Sequence, residues 1–349
     1  MFKKIIIIFI SSLLAIVFFE FFLKYSPYEY GIVPVEYHKK IGIWHKKEFE
    51  SYKISECYKT KYMFDEQGVT KNIYDYDSTK KDVIILGDSL VEAIMVKNEN
   101  IINNSLAKEF IGNYNFLNYA LSSSGPTQEY ITLIEEAKLD NAKYVIQFID
   151  LEGDIQDVDS RDLNSLGRPK VRMRFDSLNK FTVIPPREPT LYDIFGDLIG
   201  DYQIYFFIRS SIYHFRDNIL SKPTKGVLTR KEQRILDRNI TLEKVLSIEE
   251  QKVLNQNWLN LKGAIFQTNK YIKSNSSDIK YKLIVTSENQ KNKMILKRFL
   301  DEQNIEFLFL IEAANSMNLQ IKYFECDNHW TDETHINIAK IVKKTRFIN

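Results

Sequence analysis

Ser89 follows an apolar, β-branched run: Val83-Ile84-Ile85-Leu86-Gly87-Asp88-Ser89-Leu90. A serine hydroxyl is a weak nucleophile until a neighbouring base takes its proton. A suitable base and orienter stand together far downstream, in Asp327-Asn328-His329-Trp330. His329 would accept the proton of Ser89, and Asp327 would hold the other ring nitrogen. A competing pair lies a few residues on, where Asp332-Glu333-Thr334-His335 spells Asp-x-x-His. His335, however, falls inside a helical pattern through Ile336, Ile338, Ala339 and Val342, with Thr331 or Asp332 as its N-cap. His38, His45 and His214 have no such companions and read as surface or core residues. The sequence has no metal-ligand cluster, P-loop or G-x-G-x-x-G, so no cofactor or metal is implied.

The elements around these residues are an alternation. Apolar strands are predicted at 82–87, 115–120, 143–149, 281–286 and 305–310. Helices are predicted near 99–111, 127–139, 290–303 and 332–345. Strands separated by helices predict an α/β fold, a parallel sheet with helices on both faces. Strand C-termini are where such sheets bind ligands, which is where the run through Leu86 delivers Ser89. Gly87 allows the sharp exit from the strand, and Asp88 is expected to fix the turn by accepting backbone N–H groups.

These blocks resemble the GDSL or SGNH hydrolases. The resemblance rests on Gly87-Asp88-Ser89-Leu90, on Leu117-Asn118-Tyr119-Ala120 before Ser124-Gly125-Pro126, on Ile149 to Asp154, and on Asp327-Asn328-His329-Trp330. The last block is similar to a membrane-anchored subgroup with D-x-H-W. The resemblance implies a three-layer, flavodoxin-like sheet, and a triad of Ser89, His329 and Asp327, with Asp332 and His335 as the alternative members. It implies an oxyanion hole built at Ser89, Ala120 and Gly153. Two positions depart from the family pattern. Ala120 stands where glycine is usual, leaving a backbone N–H available. Gly153-Asp154 stands where Asn-Asp is usual, so a side-chain donor is missing. Loss of one such donor typically costs about 100- to 1000-fold in rate.

Residues 1–24 read as a membrane anchor or signal segment. Lys3 and Lys4 precede an apolar stretch from Ile5 to Leu23, long enough to approach the ~30 Å hydrocarbon thickness. The positive-inside rule places the two lysines in the cytoplasm and the rest outside. No A-x-A-like site follows the stretch, which favours an uncleaved anchor over a cleaved signal peptide. Residues 25–80 read as a lead-in that wraps the main domain, and 81–349 as the hydrolase-like domain. An insertion at about 155–278 interrupts the rhythm with Pro169, Pro185, Pro186 and Pro189, an aromatic segment from Tyr192 to Phe215, and a polar helical stretch over 229–274. This insertion is expected to cap the rim of the site.

The chain has 349 residues, 44% hydrophobic and 27% charged, with a net charge of +2, which describes a globular protein. Removing residues 1–24 takes away Lys3, Lys4, Lys24 and Glu20 and leaves a neutral remainder. A neutral body lacks the basic footprint that nucleic acid requires. The local basic run from Arg168 to Arg174 reads as a solvated loop or edge strand. The two cysteines, Cys57 and Cys326, either pair in an oxidising compartment or stand as separate buried thiols. Together these features predict a membrane-anchored, extracytoplasmic serine esterase or O-acyltransferase. It would work through an acyl-serine on an acylated envelope glycan or small ester. The alternative is a catalytically weakened relative that binds glycan or a partner protein.

Overall fold

The structure is a computed structural model and describes residues 2–25, 35–55, 57–158, 169–191 and 248–349. The aromatic segment from Tyr192 to Phe215, and the polar stretch as far as 247, lie outside the described residues. The chain divides into two compact units. The smaller comprises Met1–Pro34, Ser51–Ile54 and Pro189–Lys244, and within it helix α1 spans Phe2–Tyr25. Its segment Lys4–Leu23 is 20 residues long with mean hydropathy 2.8, long and apolar enough to cross a membrane. Apolar side chains such as Ile8, Phe9, Leu14 and Phe18 stand exposed all along it.

The larger unit holds the sheet. Five parallel strands, β5 (Lys81–Leu86), β6 (Tyr114–Asn118), β7 (Ala142–Asp150), β10 (Lys280–Thr286) and β11 (Glu306–Phe309), lie in the order β11-β10-β7-β5-β6. Counted along the sheet this is 2-1-3-4-5, the flavodoxin-like order, with its topological switch point at β5 between β6 and β7. Each strand lies within a few residues of the segment predicted from apolar runs. β5 explains why that signal was strong: Val83, Ile84, Ile85 and Leu86 are all fully buried, so both faces of the strand are covered and its apolar run is unbroken.

Helices cover both faces. On one side α3 (Ile102–Glu109), α8 (Leu310–Ser316) and α9 (Asp332–Lys344) supply Ile102, Leu106, Leu310, Ala314, Ile338 and Val342 to a core shared with Val83, Ile85 and Phe116. On the other, α4 (Pro126–Glu135) packs against the long helix α6 (Ile248–Asn275), which also meets β10. Helix α7 (Gln290–Glu302) is capped by Asn289, whose side chain accepts from the Asn292 N–H at 3.1 Å, and leads into β11. A four-residue helix, α2 (Ser89–Glu92), and a short α5 (Leu151–Asp157) follow β5 and β7 at the C-terminal edge of the sheet.

The lead-in is not a featureless strap. It forms an antiparallel hairpin, β1 (Val35–His38) with β2 (Gly42–His45), and strands β3 (Glu50–Ile54) and β4 (Lys59–Met63). The hairpin meets α4 through His38 and Glu136 at 3.2 Å and Lys40 and Glu135 at 2.6 Å. The described part of the insertion supplies a second hairpin, β8 (Arg172–Ser177) with β9 (Lys180–Ile184), so Arg172 to Arg174 of the basic run lie on a strand. Phe175 of β8 is fully buried against α6, where the Asn260 Oδ1 accepts from its N–H at 3.0 Å.

Gly263 of α6 explains this contact. A Cβ there would lie 2.3 Å from the Phe175 ring. Alanine normally stabilises a helix interior by about 1 kcal/mol over glycine. Here overpacking, which typically costs about 1–3 kcal/mol, should win. Gly263→Ala is expected to lower the melting temperature, and Gly263→Ala with Phe175→Leu to recover part of the loss.

Candidate active site

Ser89, the candidate nucleophile, is set by a short backbone device. β5 ends at Leu86, Gly87 follows, and Asp88 takes an extended conformation as the N-cap of α2. The Asp88 Oδ1 accepts from the Leu90 N–H at 2.8 Å, as the sequence predicts for a turn-fixing aspartate. Gly87 is required by proximity rather than by an unusual dihedral: a Cβ there would fall 2.6 Å from the Val91 Cγ2. The helix therefore folds back hard against the strand end. Ser89, its first residue, is left partly exposed. Ala93 ends the helix in the left-handed region, with φ of 55°.

His329, the candidate base, arrives from the loop before α9. The His329 Nε2 lies 2.9 Å from the Ser89 Oγ. The His329 Nδ1 meets the Asp327 Oδ1 in a short contact, and the same oxygen accepts from the His329 backbone N–H at 2.9 Å. The two-residue spacing works because the loop doubles back. The Phe324 N–H donates to the His329 carbonyl at 2.9 Å, and the Thr331 N–H to the Lys322 carbonyl at 3.1 Å. The Asp327 carboxylate is thereby curled over its own histidine.

Chemistry fixes the tautomer. An ionised carboxylate only accepts, so Nδ1 carries the proton and the Nε2 lone pair faces the serine hydroxyl. Asp327 is ionised readily. Burial raises its carboxyl, but hydrogen bonds from the His329 ring, Tyr58 and the His329 backbone more than offset this and hold it below the ordinary carboxylate range. The His329 and Asp327 side chains keep 26% and 20% of their surface exposed, so the relay is open to a ligand on one side.

The two alternative members of the triad are placed elsewhere. His335 is fully buried, beside the Trp330 ring at 5.8 Å between centroids, and among the described residues neither of its ring nitrogens has a hydrogen-bond partner. Burial pushes its imidazole down to about 3, so it stays neutral. Asp332 accepts from the Asn100 side chain at 2.9 Å and the Lys97 N–H at 3.3 Å, tying α9 to the segment before α3. The alternative pair thus does not meet Ser89.

The expected oxyanion donors are met in part. Among the described residues the Ser89 N–H has no acceptor, as befits the first residue of a helix. Ala120 is a correction. It is fully buried, and its N–H donates to the Asn118 Oδ1 at 3.1 Å. The neighbouring Leu121 N–H donates to the Gly87 carbonyl at 3.0 Å. Asn118 is held in turn, donating to the Val91 carbonyl at 2.9 Å, so this block braces the elbow. Gly153 lies in the first turn of α5, and a Cβ there would stand 2.8 Å from the Asp150 Oδ2. Asp150 thus occupies the space that a side chain at 153 would enter.

Several residues at the site carry no sequence signal. The Tyr58 hydroxyl donates to the Asp327 Oδ2 at 2.9 Å. Cys57 and Cys326 form a disulfide, bringing their neighbours Tyr58 and Asp327 together. Had the pairing been known, it would have pointed to this contact. Glu92, on the turn that carries Ser89, is buried. It meets the His45 Nε2 at 2.6 Å and Ser122 in a short contact, while the other His45 nitrogen lies 2.8 Å from the Gly68 carbonyl. His45, read from the sequence as a surface or core residue, is fully buried.

Within reach of the Asp88 charge lie two buried carboxyls, Glu129 and Asp154. Glu129 accepts from Gln147 at 2.6 Å, whereas neither oxygen of Asp154 has a partner among the described residues. Burial, reinforced by the charges of Glu129 and Asp88, raises the Asp154 carboxyl well above its ordinary value. Among the described residues no cluster of histidine, cysteine or carboxylate side chains is arranged to hold a metal ion.

The geometry is that of a nucleophile–base–orienter relay on a three-layer α/β sheet. No protein-family description matches the chain, and no curated protein matches it. Among solved structures it is similar to a member of the lipolytic protein G-D-S-L family from Veillonella parvula DSM 2008. That pair is 11% identical, covers 77% of this chain and 100% of the other, and has a TM-score of 0.37. It is also similar to a carbohydrate acetylesterase from Sinorhizobium meliloti, at 12% identity, covering 76% and 98%, with a TM-score of 0.36. A putative arylesterase from Agrobacterium tumefaciens str. C58 aligns at 10% identity over 76% and 97%, with a TM-score of 0.36. Likeness at this level carries no assignment of activity.

Two outcomes follow from these positions. His329→Ala should lower any serine-dependent rate by roughly 1000-fold or more, because a nucleophile and its base act as a unit. His335→Ala should lower the melting temperature and leave the rate per folded molecule within a few-fold. The opposite order would move the base to His335. The second concerns pH. A carboxyl raised in the fold stays protonated there while the unfolded chain ionises, so it contributes stability at low pH that is lost as pH rises above about 4. Asp154→Asn should therefore reduce the fall in melting temperature between about pH 5 and about pH 8. An unchanged slope would show that Asp154 is ionised in the fold.

Proposed function

We propose that the chain is a serine ester hydrolase or O-acyltransferase of the GDSL/SGNH type. The observation that carries this reading is the continuous contact from the Ser89 Oγ to the His329 Nε2 at 2.9 Å and on from Nδ1 to Asp327. Ser89 would attack the carbonyl carbon of an ester while its proton passes to the His329 Nε2. The Ser89 N–H, at the start of α2, would meet the developing oxyanion. Collapse of the tetrahedral intermediate breaks the bond to the alcohol oxygen, which takes the proton back from His329, and leaves an acyl-serine. Water or a sugar hydroxyl then accepts the acyl group by the reverse steps, and the identity of that acceptor separates esterase from transferase.

The proposed setting is the outer side of a membrane. The apolar helix over Lys4–Leu23 would span it with Lys3 and Lys4 inside, and the Cys57–Cys326 bridge suits an oxidising compartment. An acylated envelope glycan or related ester fits that location. A second reading, a catalytically weakened relative that binds glycan or a partner protein, is favoured by two observations. The Ala120 N–H is already engaged, and position 153 offers no side-chain donor.

Fluorophosphonate labelling separates the two. The wild-type protein should be labelled at Ser89, hydrolyse a small activated acetyl ester slowly, and lose both with Ser89→Ala. A wild-type chain that resists the probe and hydrolyses at the rate of Ser89→Ala would leave the binding reading in place.

A further inference from the structure

Asp327 faces a positional problem that its own loop solves only in part. A carboxylate two residues from its histidine can present either oxygen, or rotate away to solvent, where 20% of its side chain already lies. One oxygen, Oδ1, serves both the backbone N–H and the ring of His329. The other, Oδ2, accepts from the Tyr58 hydroxyl at 2.9 Å. Tyr58 belongs to a different part of the chain, 269 residues away, and it is itself fixed. Its ring packs on Phe324 at 5.1 Å between centroids, its carbonyl accepts from the Ser55 N–H at 2.9 Å, and its neighbour Cys57 is bonded to Cys326. The Ser55 hydroxyl also approaches the Cys326 sulfur, at 3.2 Å. The segment Ser55–Tyr58 is thus attached to the loop Phe324–Asp327 by a covalent bond, a ring contact and a hydrogen bond.

We infer that Tyr58 is a positioning residue for the relay: it holds the Asp327 carboxylate so that Oδ1 stays aimed at the His329 ring. The inference rests on the hydrolase reading and adds a member to its site. The groups that face Asp327 are the His329 ring and backbone and the Tyr58 hydroxyl. Those that face Tyr58 are Asp327 and the uncharged Ser55 and Phe324. Burial and then the charge of Asp327 hold the Tyr58 hydroxyl well above its ordinary value, so it remains a donor throughout the working range. Its hydrogen bond does two things. It fixes the carboxylate, and it draws off part of the negative charge that would otherwise stabilise a charged imidazole.

Removing the hydroxyl therefore has a signature that loss of fold does not share. Tyr58→Phe keeps the ring on Phe324. In the full-length chain, the rate of fluorophosphonate labelling at neutral pH should fall by about 5- to 30-fold. The acid limb of its pH profile should move to higher pH, because the unshared Asp327 charge holds a proton on the base more strongly. The same substitution placed on Asp327→Asn should have little further effect, since the hydroxyl acts through that carboxylate. Labelling of Tyr58→Phe at the wild-type rate with an unmoved acid limb overturns the inference alone. So does an undiminished loss in the Asp327→Asn background. Absence of labelling in the wild-type chain overturns the hydrolase reading and this inference with it.

Discussion

A hydrogen bond across most of the chain's length governs this structure: the Ser89 hydroxyl and the His329 ring meet at 2.9 Å while standing 240 residues apart. Neither partner tolerates much displacement, since proton transfer needs heavy atoms within about 2.6–3.2 Å. The parallel sheet supplies half of that precision. β5 lies at the switch point of the 2-1-3-4-5 order, with neighbours on both sides and both faces covered, so the position of Leu86 is over-determined. The tight approach of Val91 to Gly87 passes that rigidity to Ser89.

The other half must come from a loop, and loops are the softer part of a fold. The structure compensates by giving the segment 322–331 several independent restraints. Two backbone hydrogen bonds double it back on itself, Trp330 is buried against Phe148, and a disulfide reaches it from the lead-in. The lead-in hairpin and the segment at Cys57 are therefore tied to the site. His45 at the end of the hairpin pairs with Glu92 on the very turn that carries Ser89.

Much of this was legible in the sequence, and the reason is physical. Strands buried on both faces write themselves as unbroken runs such as Val83 to Leu86, and the helix of His335 shows its 3.6-residue period. Gly87 and Asp88 were readable because a turn demands particular residue types. What stayed hidden was contact between segments remote in sequence. Nothing local marks Tyr58 as a partner of Asp327, or Glu92 as a partner of His45. Ala120 was misread for a related reason. Its residue type allowed an oxyanion donor, but the direction of one N–H depends on the Asn118 side chain, which no spacing reveals. The lead-in was read as a wrapping segment because its strands are only four or five residues long, too short for period-two alternation to stand out.

The Cys57–Cys326 bond has a consequence in time as well as in space. A ribosome makes Ser89 long before His329, so for much of synthesis Ser89 is a hydroxyl at the end of a strand with no imidazole beside it. The orienting carboxylate sits beside the later of the two cysteines, and the bond can close only once that residue has emerged into an oxidising environment. An unfinished chain, or one still in a reducing compartment, lacks the covalent tie between Cys57 and the loop of Asp327 and His329. The covalent tie between the lead-in and the loop of Asp327 and His329 therefore requires both synthesis past residue 326 and an oxidising environment.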